Sequence, residues 1–144
     1  MHCQVYLRKG TIYLPTLGIV EKGFYRGIEP VTVVSVTNTE ALRQALLATI
    51  TRGNPTVPRL RRSEYPPPIL LKYAGVKTWS AFDNGTSLWT ISEVGGHFVI
   101  VAYRKLPTGE SVQNKGETIE FPVGSSVDAA VDRMIEILQH AAQR

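Results

Sequence analysis

VTVVSVTNTEALRQALLATITRG, residues 31–53, is the stretch on which the fold class turns. Its first six residues are rich in β-branched side chains with partial alternation, which predicts a strand covered on at least one face and placed near the sheet centre. Thr37, Asn38, Thr39 and Glu40 then supply a helix start, with Thr37 as the expected cap and Glu40 returning the bond. Leu42, Ala45, Leu46 and Ile50 recur every three or four residues, and Gly53 with Pro55 stops the period. A strand followed at once by an amphipathic helix implies a sheet with a helix laid on it.

Toward the N-terminus, CQVYL (3–7) and TIYL (11–14) flank Lys9-Gly10 and predict two strands joined by a turn. GIVEKGFYRGIEPV (18–31) fits either a turn-rich segment or a bulged strand pair. Toward the C-terminus, prolines at 55, 58, 66, 67 and 68 forbid a long helix, so a surface loop is expected over about 54–68. ILLKYAG (69–75) reads as a strand, and Asn84-Gly85 reads as the turn of a hairpin whose arms are 77–83 and 87–92. HFVIVAYR (97–104) is apolar on both alternating faces and suggests a strand between two packed layers, with Pro107 to Gly109 turning the chain. GETIEF (116–121) suits an edge strand. Ser125 and Asp128 can form a capping relation at the start of a run with apolar positions Val127, Val131, Met134 and Leu138, predicting a terminal helix that covers the sheet. The expectation is therefore an α+β fold: one compact domain over 1–144, with a mixed or antiparallel β-sheet packed against two main helices.

Composition narrows function mainly by exclusion. At 144 residues the chain can bury roughly 68% of its extended surface. Sixteen basic against twelve acidic residues give +4, short of the Lys/Arg blocks of a dedicated nucleic-acid binder. The single cysteine, Cys3, excludes an intrachain disulfide and a multi-cysteine metal cage, and its place in CQVYL suits burial. No apolar run approaches 18 residues and no secretion leader is legible, so a cytoplasmic location without membrane contact is expected. Glycines in NGT, VGGH and PTGES match neither dinucleotide nor phosphate-loop spacing, and no cofactor or metal is expected.

His97 follows Gly95-Gly96, which would let it act as an acid or base in a small hydrolase or nuclease; a structural histidine opening a strand is the favoured reading. His2 sits at an end expected to be mobile, and His140 suits a helix C-terminus. Arg59, Arg61 and Arg62 form the densest basic feature. Residues 54–77 hold five basic and one acidic residue, and 117–144 hold two basic and five acidic. If the fold separates these segments, the molecule presents opposed patches that orient a protein partner. Tyr65, Tyr73, Trp79, Phe82 and Trp89 crowd the same middle region as candidate anchors. Trp79 and Phe82, three apart, cannot share one face of a regular strand. RNA stacking on these aromatics ranks behind a protein partner, because no RNA-binding signature accompanies them.

The β-α start, KTWSAFDNGTSLWTI (77–91) and GGHFVIVAYR (95–104) together resemble small bacterial immunity proteins of contact-dependent inhibition systems. The resemblance covers size, mixed elements and an aromatic middle. It implies a non-enzyme that binds a cognate toxin domain, often a nuclease, and masks its active site or blocks its movement. Arg59, Arg61, Arg62, Tyr65, Trp79, Phe82 and Trp89 are then the expected partner-binding residues. The net positive charge departs from the acidic surface common among inhibitors of nucleases.

Overall fold

The computed structural model describes residues 1–144. Six strands, β1 (His2–Arg8), β2 (Thr11–Glu21), β3 (Phe24–Ser35), β4 (Thr86–Val94), β5 (His97–Lys105) and β6 (Ser111–Glu120), form one antiparallel sheet in the order β3-β2-β1-β4-β5-β6. Two three-strand meanders thus meet at the β1–β4 pair, in register from His2↔Ser92 to Arg8↔Thr86. The fold is α+β, and its sheet is the antiparallel of the two expected kinds.

Two long helices, α1 (Thr39–Arg52) and α4 (Val127–Ala142), cover one face. Alternation along the strands sends Val5, Leu7, Ile12, Leu14, Ile91 and Ile100 toward them, where they meet Leu42, Leu46, Val131, Met134 and Leu138 in the main core. Asn38 rather than Thr37 caps α1, accepting from the Ala41 N–H at 3.2 Å, and Glu40 bonds Gln44 instead of returning to the cap. Ser126, not Ser125, caps α4 through the Ala129 N–H.

On the opposite face a smaller core joins Tyr6 and Tyr13 to Leu70, Leu71 and Phe82, carried by two short helices, α2 (Leu70–Ala74) and α3 (Trp79–Asp83). Both correct the strand readings of 69–75 and 77–83. Leu70 and Leu71 are adjacent and both buried, which a helical turn allows and a strand with one buried face does not. Gly75 ends α2 in the left-handed region at φ +69°. Thr78 caps α3, accepting from Ala81 at 3.1 Å, and Asn84-Gly85 terminates it rather than turning a hairpin. The hairpin turn lies at Gly95-Gly96, both at positive φ, between β4 and β5.

Strand β3 is also not central. It is the last strand of its meander and forms one edge of the sheet; Val34 and Val36 pack toward the helices while Val33 is exposed. Strand β5 buries Phe98, Ile100 and Ala102 under the helices, but Val99, Val101 and Tyr103 are only half-buried, so it has one packed layer instead of two. Strand β6 is the other edge, as read from GETIEF.

A candidate protein-docking groove

The site is made by the way β1 and β2 part. They pair at only three positions, from Tyr6↔Tyr13 to Arg8↔Thr11, after which β2 continues as a long ribbon with β3. Register shifts after Pro15 and after Ile19 mark it as the bulged strand pair. Asn54, just past α1, fills the opening. Its Nδ2 donates to the carbonyls of His2 (2.8 Å) and Leu17 (3.0 Å), and its Oδ1 accepts from the His2 N–H (2.8 Å). One side chain thereby replaces the missing ladder bonds.

The expected surface loop begins there, pairs first with the edge of β2 that β1 leaves free, and reaches the face opposite the long helices by Tyr65–Pro68, beside Gln4 and Tyr6. The Ile19 N–H donates to the Pro55 carbonyl at 2.7 Å, and the Val57 N–H donates to the Ile19 carbonyl at 2.9 Å. Gly18 makes this approach feasible, since a Cβ there would lie 2.6 Å from Val57 Cγ1. Farther on, Arg59 pairs with Glu21 at 3.1 Å, and Glu64 accepts from the Arg61 N–H at 2.9 Å around a single 3₁₀ turn, Arg62–Glu64. The loop is a strap with few unsupported residues.

Between strap, ribbon and α3 lies a groove of about 690 Å³. Gln4 and Tyr6 of β1, Phe24, Tyr25 and Arg26 of β3, Arg59, Tyr65 and Pro66–Pro68 of the strap, and Trp79 of α3 line it. The lining is mostly apolar, and its large side chains remain open to solvent: Phe24 is 64%, Tyr65 45%, Tyr25 41% and Trp79 39% exposed. At its margin Glu29 is clamped by Lys72 Nζ at 2.7 Å and by the Tyr73 hydroxyl at 2.5 Å. The hydrogen bonds from Lys72, then Tyr73, hold the Glu29 carboxyl below its usual range.

Arg26 has no such partner. Its guanidinium carbon sits 6.0 Å from the Tyr65 ring centroid, and Nη1 is shielded from solvent without a hydrogen-bond acceptor.

The expected partner-binding residues therefore separate. Arg59, Tyr65 and Trp79 line the groove. Arg61 and Arg62 are exposed on the strap, outside the lining and without ion pairs. Phe82 is fully buried against Tyr6 and Tyr13, with ring centroids at 5.6 Å to each. Trp89 is 5% exposed and lies in the main core beneath the long helices. Neither of these two presents a surface to a partner in this structure. Phe24, Tyr25, Arg26 and Asn54 were not among the residues singled out from sequence. The signal available for three of them was GFYRG, two aromatics and an arginine between glycines at a ribbon end.

The strap and α2 lie on the face opposite α4, so the basic segment and most of the acidic one are separated by the sheet. Pairing of Arg59 with Glu21 and Lys72 with Glu29 leaves the groove itself nearly neutral. His2, expected at a mobile end, is packed into the fold, with its Nδ1 2.7 Å from Ser92 Oγ and its ring 4.8 Å from that of Tyr25. Burial, then the adjacent α-ammonium, lowers its pKa. His97 opens β5, half-buried, beside Gly95. Cys3 is buried, which pushes its thiol pKa up to about 12. No group of three His, Cys, Asp or Glu side chains is arranged to hold a metal ion, and no helix is long and apolar enough to cross a membrane.

No protein-family model matches the chain, and no curated protein sequence matches it. Among solved structures, it is similar to a protein of unknown function from Neisseria meningitidis, with a TM-score of 0.65 at 13% identity over 97% of this chain and 93% of the other. It is also similar to a chain of the CdiA-CT/CdiI toxin and immunity complex from Yersinia pseudotuberculosis, with a TM-score of 0.60 at 14% identity over 98% and 95%. At these identities the likeness is one of fold.

Proposed function

We propose that this protein is a cytoplasmic immunity protein that binds a cognate toxin domain through the strap-side face and neutralises it by occlusion, without catalysis. The observation that carries the proposal is the groove, where solvent-open aromatics surround an arginine on a supported scaffold. Large, stiff aromatic side chains beside an arginine are the composition of residues that dominate protein–protein affinity. Likeness of fold to a chain of a toxin and immunity complex supports the same reading.

In this mechanism Tyr65 and Trp79 are the anchors. Trp79 is held by α3 with its ring 5.2 Å from that of buried Phe82, so little of its freedom remains to be lost on binding. Phe82 supports it without touching the partner. Arg61 and Arg62, free of ion pairs, act at the rim as steering charges toward an acidic surface. Nucleic acid is the weaker partner for this groove, because the pairing of Arg59 with Glu21 and of Lys72 with Glu29 leaves too little net positive charge to neutralise successive phosphates.

The test is purification with the toxin domain encoded beside this gene. A stable complex with suppressed toxicity is expected, and Trp79→Ala should weaken it by about tenfold or more, the loss typical of an interface anchor. Failure of the unaltered protein both to bind and to protect would reject the proposal.

A further inference from the structure

Arg26 is the one groove cation left without a counter-charge. Glu21 is engaged by Arg59 and Glu29 by Lys72 and Tyr73, so no carboxylate bordering the groove remains for it. Yet Arg26 Nη1 is out of reach of solvent and has no acceptor within the chain. A carboxylate entering the groove does not reach that sealed nitrogen; it pairs with the other guanidinium N–H groups, which line the groove and meet no acceptor of the chain, through a charge-assisted bond. The Tyr65 ring, 6.0 Å from the guanidinium carbon, offers a face against which the paired groups can pack.

We infer that the groove is a carboxylate site: Arg26 pairs with an Asp or Glu side chain on a projecting segment of the protein partner, whose flanking apolar residues lie against Tyr65, Pro67 and Trp79. This deepens the toxin-binding reading and rests on it for the identity of the partner. Charge complementarity selects the occupant. One uncompensated cation in a mostly apolar groove matches a single carboxylate, whereas a nucleic-acid strand brings successive phosphates and needs several cations. A volume of about 690 Å³ suits a few side chains rather than a whole domain surface.

The experiment has two arms, one independent of the toxin. In the first, a capped tripeptide Leu-Asp-Leu and its Leu-Asn-Leu counterpart are titrated at millimolar concentration against the isotope-labelled full chain, following the Arg26 Nε and Trp79 indole resonances. Saturable shifts with the Asp peptide, lost with Leu-Asn-Leu and lost again in Arg26→Met, are expected. Equal responses to both peptides, or none, overturn the carboxylate site. Displacement of the Asp peptide by a single-stranded oligonucleotide of similar affinity overturns it in favour of a phosphate site.

In the second arm, the neighbouring toxin domain is titrated against unaltered protein, Arg26→Met and Arg26→Lys. Arg26→Met should lose about thirtyfold or more, mainly through faster dissociation, as for a desolvated charge pair. Arg26→Lys should recover part of the loss. Unchanged toxin affinity in Arg26→Met, with an unchanged near-ultraviolet spectrum, overturns the assignment. Absence of toxin binding by the unaltered protein while the Asp peptide still binds through Arg26 rejects the immunity reading and leaves the carboxylate site standing.

Discussion

Trp79 and Phe82 lie three positions apart, the spacing that prevents them from sharing a strand face. In the single turn of α3 that same spacing puts both rings on one side, the inner one sealed and the outer one open. Sequence could name the aromatics of the middle but not sort them, because exposure depends on which face of the sheet each element covers. Cys3 was legible: its alternation with Val5 and Leu7 points it into the main core. Burial raises its pKa to about 12, outweighing the opposing effect of the Arg52 charge. A thiol that ionises more easily unfolded than folded supports stability fully below its unfolded pKa near 9, and that contribution falls as pH rises toward 12. Burial also raises the pKa of Tyr6, adding to the same trend. Unfolding in urea at pH 8 and pH 10.5 is expected to show a decline of about 1.4 kcal/mol per pH unit from Cys3 above its unfolded pKa. Cys3→Ala should remove that slope while leaving the Tyr6 part. In the folded protein at pH 8 the thiol should resist aromatic disulfide reagents until denaturant is added, and rapid labelling would contradict its burial.

Among the elements, the strands with alternating faces and the two long helices were readable, because each carries a periodic apolar pattern that local sequence dictates. The short helices were not. ILLKYAG has too few residues to display a helical period, and Asn84-Gly85 serves a helix end as well as it serves a hairpin. The strap was readable as a loop from its prolines, but its docking depends on Asn54, a residue with no local signature. Asn54 holds together two strand backbones that no longer pair, so its loss is felt where β1 and β2 diverge. Asn54→Ala leaves the His2 N–H and carbonyl and the Leu17 carbonyl without partners. A destabilisation of about 1–3 kcal/mol in urea unfolding is expected. Hydrogen exchange should quicken at His2, Ile19 and Val57 while the amides of α4 keep their relative protection. Uniform quickening across the sheet would mean that Asn54 supports the whole fold and not the strap alone.

For the whole molecule, the sheet works as a partition between charges. All three carboxylates of α4, Asp128, Asp132 and Glu136, lie on the long-helix side, while Arg61 and Arg62 lie on the strap side. Asp132 is paired to Arg43 at 2.8 Å and Glu136 to Arg133 at 3.1 Å, so the acidic side is partly tied within the chain. Arg61 and Arg62 make no such pairs. In the proposed complex this asymmetry orients an acidic toxin surface toward the groove before contact, and steering of that kind acts on the encounter rather than on the docked complex. The proposed role of the groove residues lies in the other half of the process, since dissociation is governed by desolvated contacts. Kinetics on a sensor surface separate the two. Changing Arg61 and Arg62 together to Gln should slow association with the toxin domain by roughly threefold to tenfold at low salt, with the difference fading as ionic strength approaches that at which exposed charges are screened beyond about 8 Å. Dissociation should change little. Tyr65→Ala should give the reverse pattern, with faster dissociation and nearly unchanged association. If the double arginine variant instead dissociated faster at every salt concentration, those side chains would belong to the docked interface, and the contact would extend beyond the groove along the strap.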